Sequence, residues 1–484
     1  LTYRSALVLR NFTALPGPEE QKSAEIRFIN IPKEVKQEDS TMKSTFRWLG
    51  VFTLAGQIGL WGQATGDTVR VKWDEAIATG RIVYRLSEPK EIAAVLGEPQ
   101  ARKEFKDGGM KIMEMSYPGL SIYLGKMADQ EIPFTLLGAE ADGKRIPIGE
   151  EKPIVLRSPD DLKKMDRFSG LANVDLTRLD LRNQSQSLQS LSFDSRTRWP
   201  VSDKLPTGFQ PDLLLETGKN PGLGLGQLHR RGIDGRGIRL AIIDQPLLRD
   251  HREYRDGIFH YDNTGLEKME PQMHASPVAS IAVGRTIGVA PAASAAFFAV
   301  PMWEQDNRVY IDSLKKILAM NAGRPAAEWI RAVSISQGMF PEYPNFKEWQ
   351  TVLAEAEAAG IFVVTCDISI LRYGTLQRRE GANPDDPHGY VRGYYSVDDA
   401  RLYVPAGNRT IASHHGTAIY VYDRVGGMSW AAPYLAGLAA LAFQVNPEIK
   451  PKRLRELFLE TAVPTDVGPV VSPRAFIARV KKEK

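Results

Sequence analysis

From residue 238 onward the chain alternates short, continuously apolar runs with segments of helical spacing, and that alternation limits the fold more than any other feature. The apolar runs are 238–243, 295–300, 332–336 and 361–366; helical spacing marks 274–283, 312–320, 346–359, 429–445 and 451–461. A strand without a polar face must be covered on both sides. The arrangement that does so is α/β, a doubly wound parallel sheet with helices on each face. Ligands in such sheets bind beyond the carboxyl ends of strands, and Asp244 falls there, directly after Ile243.

The 484 residues are too many for one ordinary domain. A Pro- and Gly-rich stretch at 220–226 marks a boundary, and 226–484 is read as the larger, α/β unit. Residues 1–45 form a polar extension broken by Pro16, Pro18 and Pro32, with one candidate strand at 26–29. Residues 46–150 read as a smaller N-terminal α+β domain, with β-rich runs at 68–73, 81–85, 111–115 and 121–124 and a helix at 89–96. The tetrapeptides 96–99 and 117–120 carry turn chemistry. Residues 151–225 hold irregularly spaced leucines and are expected to be a connecting segment packed on a neighbour.

A net charge of +4, without long lysine or arginine runs, gives no support to a nucleic-acid partner. The apolar stretch 48–61 is interrupted by Gly50, Gly56, Gln57 and Gly59 and is too short to span a bilayer, so it is read as a strand pair or buried turn, with no transmembrane segment expected. Cys366 stands alone, which excludes an intramolecular disulfide and is read as a buried strand residue. No secretory cleavage pattern is legible, and the compartment stays open. Asp385, Asp386 and His388, flanked by Pro384, Pro387 and Gly389, read as a solvated turn; no metal site is expected there.

One stretch carries a chemical signature: Gly426-Gly427-Met428-Ser429-Trp430-Ala431-Ala432-Pro433, two glycines and a serine opening an apolar helical run. Such a serine is either a helix cap or a nucleophile. To attack a carbonyl it needs a histidine to take its proton and a carboxylate to orient that histidine. Among seven histidines, His274 opens a helix of small residues, and Asp244 ends an apolar strand.

The order Asp244, His274, Ser429 resembles that of the subtilisin-like serine proteases, the subtilases of peptidase family S8. Further blocks agree. His251 and Glu253 resemble the family's His-Pro-Asp/Glu segment, Gly288-Val289-Ala290-Pro291 its Gly-Val-Ala-Pro, and Ser336-Gln337-Gly338 its Ser-Leu-Gly substrate strand. Residues 429–437 resemble Ser-Met-Ala-x-Pro-x-x-Ala-Gly, and the resemblance covers roughly 226–465. It implies Ser429 as nucleophile, His274 as general base, Asp244 as the residue that orients His274, and Ser336, Gln337 and Gly338 as binders of an extended protein or peptide substrate. It implies no cofactor beyond a calcium ligand at Glu253, which lacks identifiable companion carboxylates.

The sequence also departs from the family. Gln245-Pro246 follows Asp244, Pro277 stands where a second histidine is usual, and Met428 replaces a threonine. The oxyanion asparagine is missing; an ungapped count puts Ser369 at its place and a gapped one Asp367. A serine can donate to an oxyanion, whereas an ionised aspartate repels it. The expected function is therefore a serine endopeptidase working through an acyl-enzyme on Ser429. The alternative is a silent or attenuated module of the same fold that binds peptides or serves as a structural partner.

Overall fold

A computed structural model describes residues 61–107, 109–367, 371–394, 396 and 399–483. The extension 1–45, the stretch 48–60 and Ser369 lie outside them.

The described chain opens with helices α1 (Trp61–Ala78) and α2 (Pro89–Leu96). An antiparallel meander follows: β1 (Ala101–Asp107), β2 (Met110–Tyr117), β3 (Leu120–Met127), β4 (Thr135–Ala141) and β5 (Lys144–Arg145). The turn read at 117–120 joins β2 to β3, with Gly119 at a φ of 69°. Two β-rich runs of the sequence are not strands. Residues 68–73 belong to α1, where Val69, Trp73 and Ala76 face the meander at helical spacing while Val71 stays 65% exposed. Their period-2 look comes from Val69, Val71 and Trp73 alone. Residues 81–85 are a turn that hands the Arg85 amide to the Leu136 carbonyl at 2.9 Å, with Arg85 at a φ of 59°.

The leucines of 171–191 are buried in one cluster that also takes in Phe193, Phe209 and Tyr422. The short strand Phe193–Asp194 pairs with Val421 and Tyr422.

Beyond residue 238 lie five parallel strands: β6 (Arg239–Asp244), β7 (Ile258–Asp262), β8 (Ser294–Ala299), β9 (Ile330–Ile335) and β10 (Phe362–Thr365). Their spatial order is β7-β8-β6-β9-β10, which puts β6, and Asp244 at its end, in the middle. Helices cover both faces. Leu240, Ile242, Phe297 and Val364 share a core with α3 (Ala275–Val283) and a later helix, Met428–Val445. Ala241, Ile243, Phe298 and Val333 pack against α4 (Arg308–Ala322) and α5 (Phe346–Ala358). The fold is α/β around a parallel sheet, as the apolar runs predict.

The second half adds strands that the sequence reading lacks. β11 (Tyr373–Arg378), β12 (Tyr390–Arg392) and β13 (Leu402–Gly407) join a second sheet; β14 (Arg409–Ala412) and β15 (Tyr420–Asp423) form a hairpin onto Phe193–Asp194. Helix α6 (Met428–Val445) follows, then α7 (Pro451–Glu460), strands β16 (Val463–Thr465) and β17 (Gly468–Val470), and α8 (Pro473–Lys482). By length and composition α6 could cross a membrane, but it is wrapped by the core, buried from Trp430 through Phe443. It packs closely on the turn beyond α3 because residue 437 is glycine: a Cβ there would lie 2.7 Å from Val289 Cβ.

Candidate active site

Three strands of the parallel sheet and the starts of two helices meet beyond the strand ends. Asp244 ends β6 fully buried, its Oδ1 accepting the Gln245 amide at 2.8 Å. His274 stands at the N-terminal cap of α3 and is 2% exposed. Its Nδ1 lies 2.8 Å from Asp244 Oδ1 and 3.1 Å from Oδ2. The segments leading to the two residues are tied together, since the Gln272 amide donates to the Pro246 carbonyl at 2.8 Å. An imidazole whose Nδ1–H is held by a carboxylate presents the Nε2 lone pair on its other side. That Nε2 is buried and has no partner among the described residues.

Ser429 is the second residue of α6, where backbone N–H groups have no intrahelical acceptor. Gly427 enters the helix extended, and Gly426 sits at a φ of 64° with a Cβ position only 2.5 Å from the Ala406 carbonyl carbon, so neither a side chain nor another conformation fits there. The Trp430 ring packs 5.1 Å from the His274 ring, setting the start of α6 against the imidazole, and Trp430 Nε1 donates to buried Asp423. No sequence motif marked this contact, although Trp430 adjoins the serine.

The Ser429 hydroxyl donates to the Ser336 carbonyl at 3.3 Å, and the Ser336 hydroxyl donates back to the Ser429 carbonyl at 2.8 Å. Ser336, Gln337 and Gly338 thus continue β9 alongside the serine. The Gln337 carbonyl accepts from the Cys366 amide at 3.0 Å, whereas the backbone groups of Gly338 and Met339 have no hydrogen-bond partner among the described residues. A Cβ at 338 would meet the Phe340 ring at 2.7 Å.

Cys366 adjoins the site, one residue beyond β10 and half-buried, so it is not the buried strand residue expected from the sequence. Burial pushes its thiol up to about 12, against hydrogen bonds with Ser429 and Tyr373 that act the other way. Asp367 follows it, its amide donating to Thr365 Oγ1 at 3.0 Å. Glu253 lies elsewhere: its carboxylate accepts from the Thr286 amide at 2.8 Å, from Thr286 Oγ1 at 2.7 Å and from the Tyr420 hydroxyl. Asp385 accepts the Gly224 amide at 3.0 Å and Asp386 the His388 amide at 2.9 Å, so both carboxylates serve turns.

No family model and no curated protein matches the sequence. Solved structures do. The chain is 17% identical to one from the study of the subtilase cytotoxin SubAB and its assembly, with a TM-score of 0.43 over 54% of this chain and 96% of that one. It is 15% identical to the prenylagaramide maturation protease PagA, TM-score 0.41, over 54% of this chain and 99% of that one. It is also 15% identical to the A-subunit of the AB5 toxin from E. coli, TM-score 0.42, over 54% and 98%.

Proposed function

We propose that this chain is a serine endopeptidase of subtilisin-like, doubly wound α/β type that cleaves extended protein segments through an acyl-enzyme on Ser429. The observation that carries this reading is the buried Asp244–His274 pair with an unpartnered Nε2, set against the start of the helix that bears Ser429. A neutral imidazole held in one tautomer is the base that a serine hydroxyl requires.

An extended peptide enters by pairing with the open backbone at Gly338 and Met339, as an added strand. A substrate N–H placed on the Ser336 carbonyl competes with Ser429 Oγ for that acceptor. The displaced hydroxyl turns to His274, which takes its proton as Oγ bonds to the scissile carbonyl carbon. The resulting oxyanion meets the orphan Ser429 N–H, and Ser369 and Asp367 are the candidates for the second position at the oxyanion. His274 then gives its proton to the leaving amine as the peptide bond breaks, and water repeats the sequence on the acyl ester.

A second reading, a silent or attenuated peptide-binding module, has its own support. The Ser429 hydroxyl donates to Ser336 rather than to His274, and the sequence has no asparagine in the segment after β10. Labelling with a fluorophosphonate probe separates the two. Endopeptidase chemistry requires labelling of the native chain that Ser429→Ala and His274→Ala both abolish; a folded native chain that stays unlabelled would leave the binding module.

A further inference from the structure

We infer that the protein holds one small inorganic anion of halide size between Arg409, Arg378 and the Tyr434 hydroxyl. Arg409 opens β14 inside the main core at 3% exposure, and Arg378 ends β11 at 7%. Neither forms an ion pair among the described residues. Arg409 spends one nitrogen on the Ile287 carbonyl at 3.2 Å, leaving Nε and Nη1 buried without partners. Arg378 gives its two terminal nitrogens to the Thr217 and Asn220 carbonyls at 3.1 and 2.7 Å, and its Nε is likewise unpartnered. Tyr434, fully buried on the helix of Ser429, has an unpartnered hydroxyl.

These groups lie near one another. Asn408 precedes Arg409 and donates to the Arg378 carbonyl at 2.5 Å, and Tyr434 and Arg378 both lie within electrostatic range of Arg409. Burial holds the Arg409 guanidinium down to about 10, still charged at neutral pH. The orphan atoms at the two arginines and the tyrosine are all donors. Asn408 Oδ1, the orphan acceptor beside them, is a neutral amide oxygen and cannot balance two cations. Buried charge without a counter-charge is expensive, and water, with two acceptor sites, leaves both positive charges uncompensated. Asp423, the nearby carboxylate, is already engaged by Trp430, Ser192 and two backbone amides. A monatomic anion accepts donors from any direction, which suits groups buried on three different elements. It would fasten the helix of Ser429 to β11, β14 and the Ile287 turn.

The test is thermal melting of the full chain at constant ionic strength, exchanging gluconate for chloride or bromide, with anomalous diffraction from a bromide-soaked crystal. The expected result is a saturable rise in Tm of roughly 3 °C or more, a bromide peak beside Arg409, and loss of the Tm response in Arg409→Met. Should that variant fail to fold, Tyr434→Phe, which removes one donor, is expected to raise the halide midpoint several-fold. Identical melting in gluconate and halide, or bromide bound only at the surface as an adventitious ion, would overturn the inference. So would a response to sulfate alone.

Discussion

At Ser429 the hydroxyl rests on the Ser336 carbonyl, while the base it needs, His274 Nε2, is buried nearby without a partner. On the proposed mechanism the hydroxyl leaves that carbonyl for the imidazole before it reacts. The second oxyanion donor is then the weak part of the site, since an aspartate side chain at 367 lacks the amide N–H that an asparagine would donate. A donor of this kind is worth about 10² to 10³ in kcat. Asp367→Asn is therefore expected to raise turnover of a peptide substrate at pH 7.5 toward that range, read by steady-state kinetics; unchanged or lower kcat would remove Asp367 from the oxyanion site. Cys366 offers an independent check. With its thiol held up to about 12 by burial, it is neutral at pH 8. Iodoacetamide is expected to leave it unmodified in the native protein and to alkylate it in urea, as followed by intact mass.

Among the elements, the contact of α6 with the segment that follows α3 depends on one missing side chain. Gly437→Ala would bring a Cβ to 2.7 Å from Val289 Cβ, and overpacking of this kind costs about 1–3 kcal/mol. Chemical denaturation should show that loss, and a stability unchanged within error would mean that α6 and the Val289 segment part without cost. The central strands were readable in the sequence because both faces of β6, β8 and β9 are buried, so Leu240 through Ile243 cannot be anything but apolar. The same reasoning is blind to β11 and β14. Thr375, Gln377, Arg378, Arg409 and Thr410 look like loop residues, yet most of them are buried and several are satisfied by distant carbonyls, such as Thr410 Oγ1 by Leu215 at 2.7 Å. In α1 the error ran the other way, with alternating valines masking a helical face. Of the site, Asp244, His274 and Ser429 were legible from their order, and Ser336 from its motif. Trp430 against His274 was not, because nothing local encodes which residue a ring will meet across the fold.

For the molecule as a whole, stability should fall on acidification in two stages. Burial lowers the pKa of His229 and His251 in the folded chain, so the unfolded chain binds more protons once the pH drops below about 6.5. Stability from these neutral histidines is present above that value and is lost as the pH falls through it. Asp262 follows. Burial raises its pKa, but the Lys316 and Thr264 bonds outweigh that and hold it at about 2, so its contribution is lost below about pH 4. Melting between pH 8 and 3 should show both limbs, with His229→Gln flattening the upper one. The two halves of the chain are also sewn together across the 220–226 stretch. Phe193–Asp194 completes the hairpin of β14 and β15, and Arg424 donates to the Leu191 carbonyl at 2.9 Å. A protease that nicked the backbone within 220–226 would therefore release nothing: the two fragments would travel as one particle through a sizing column and separate only in denaturant.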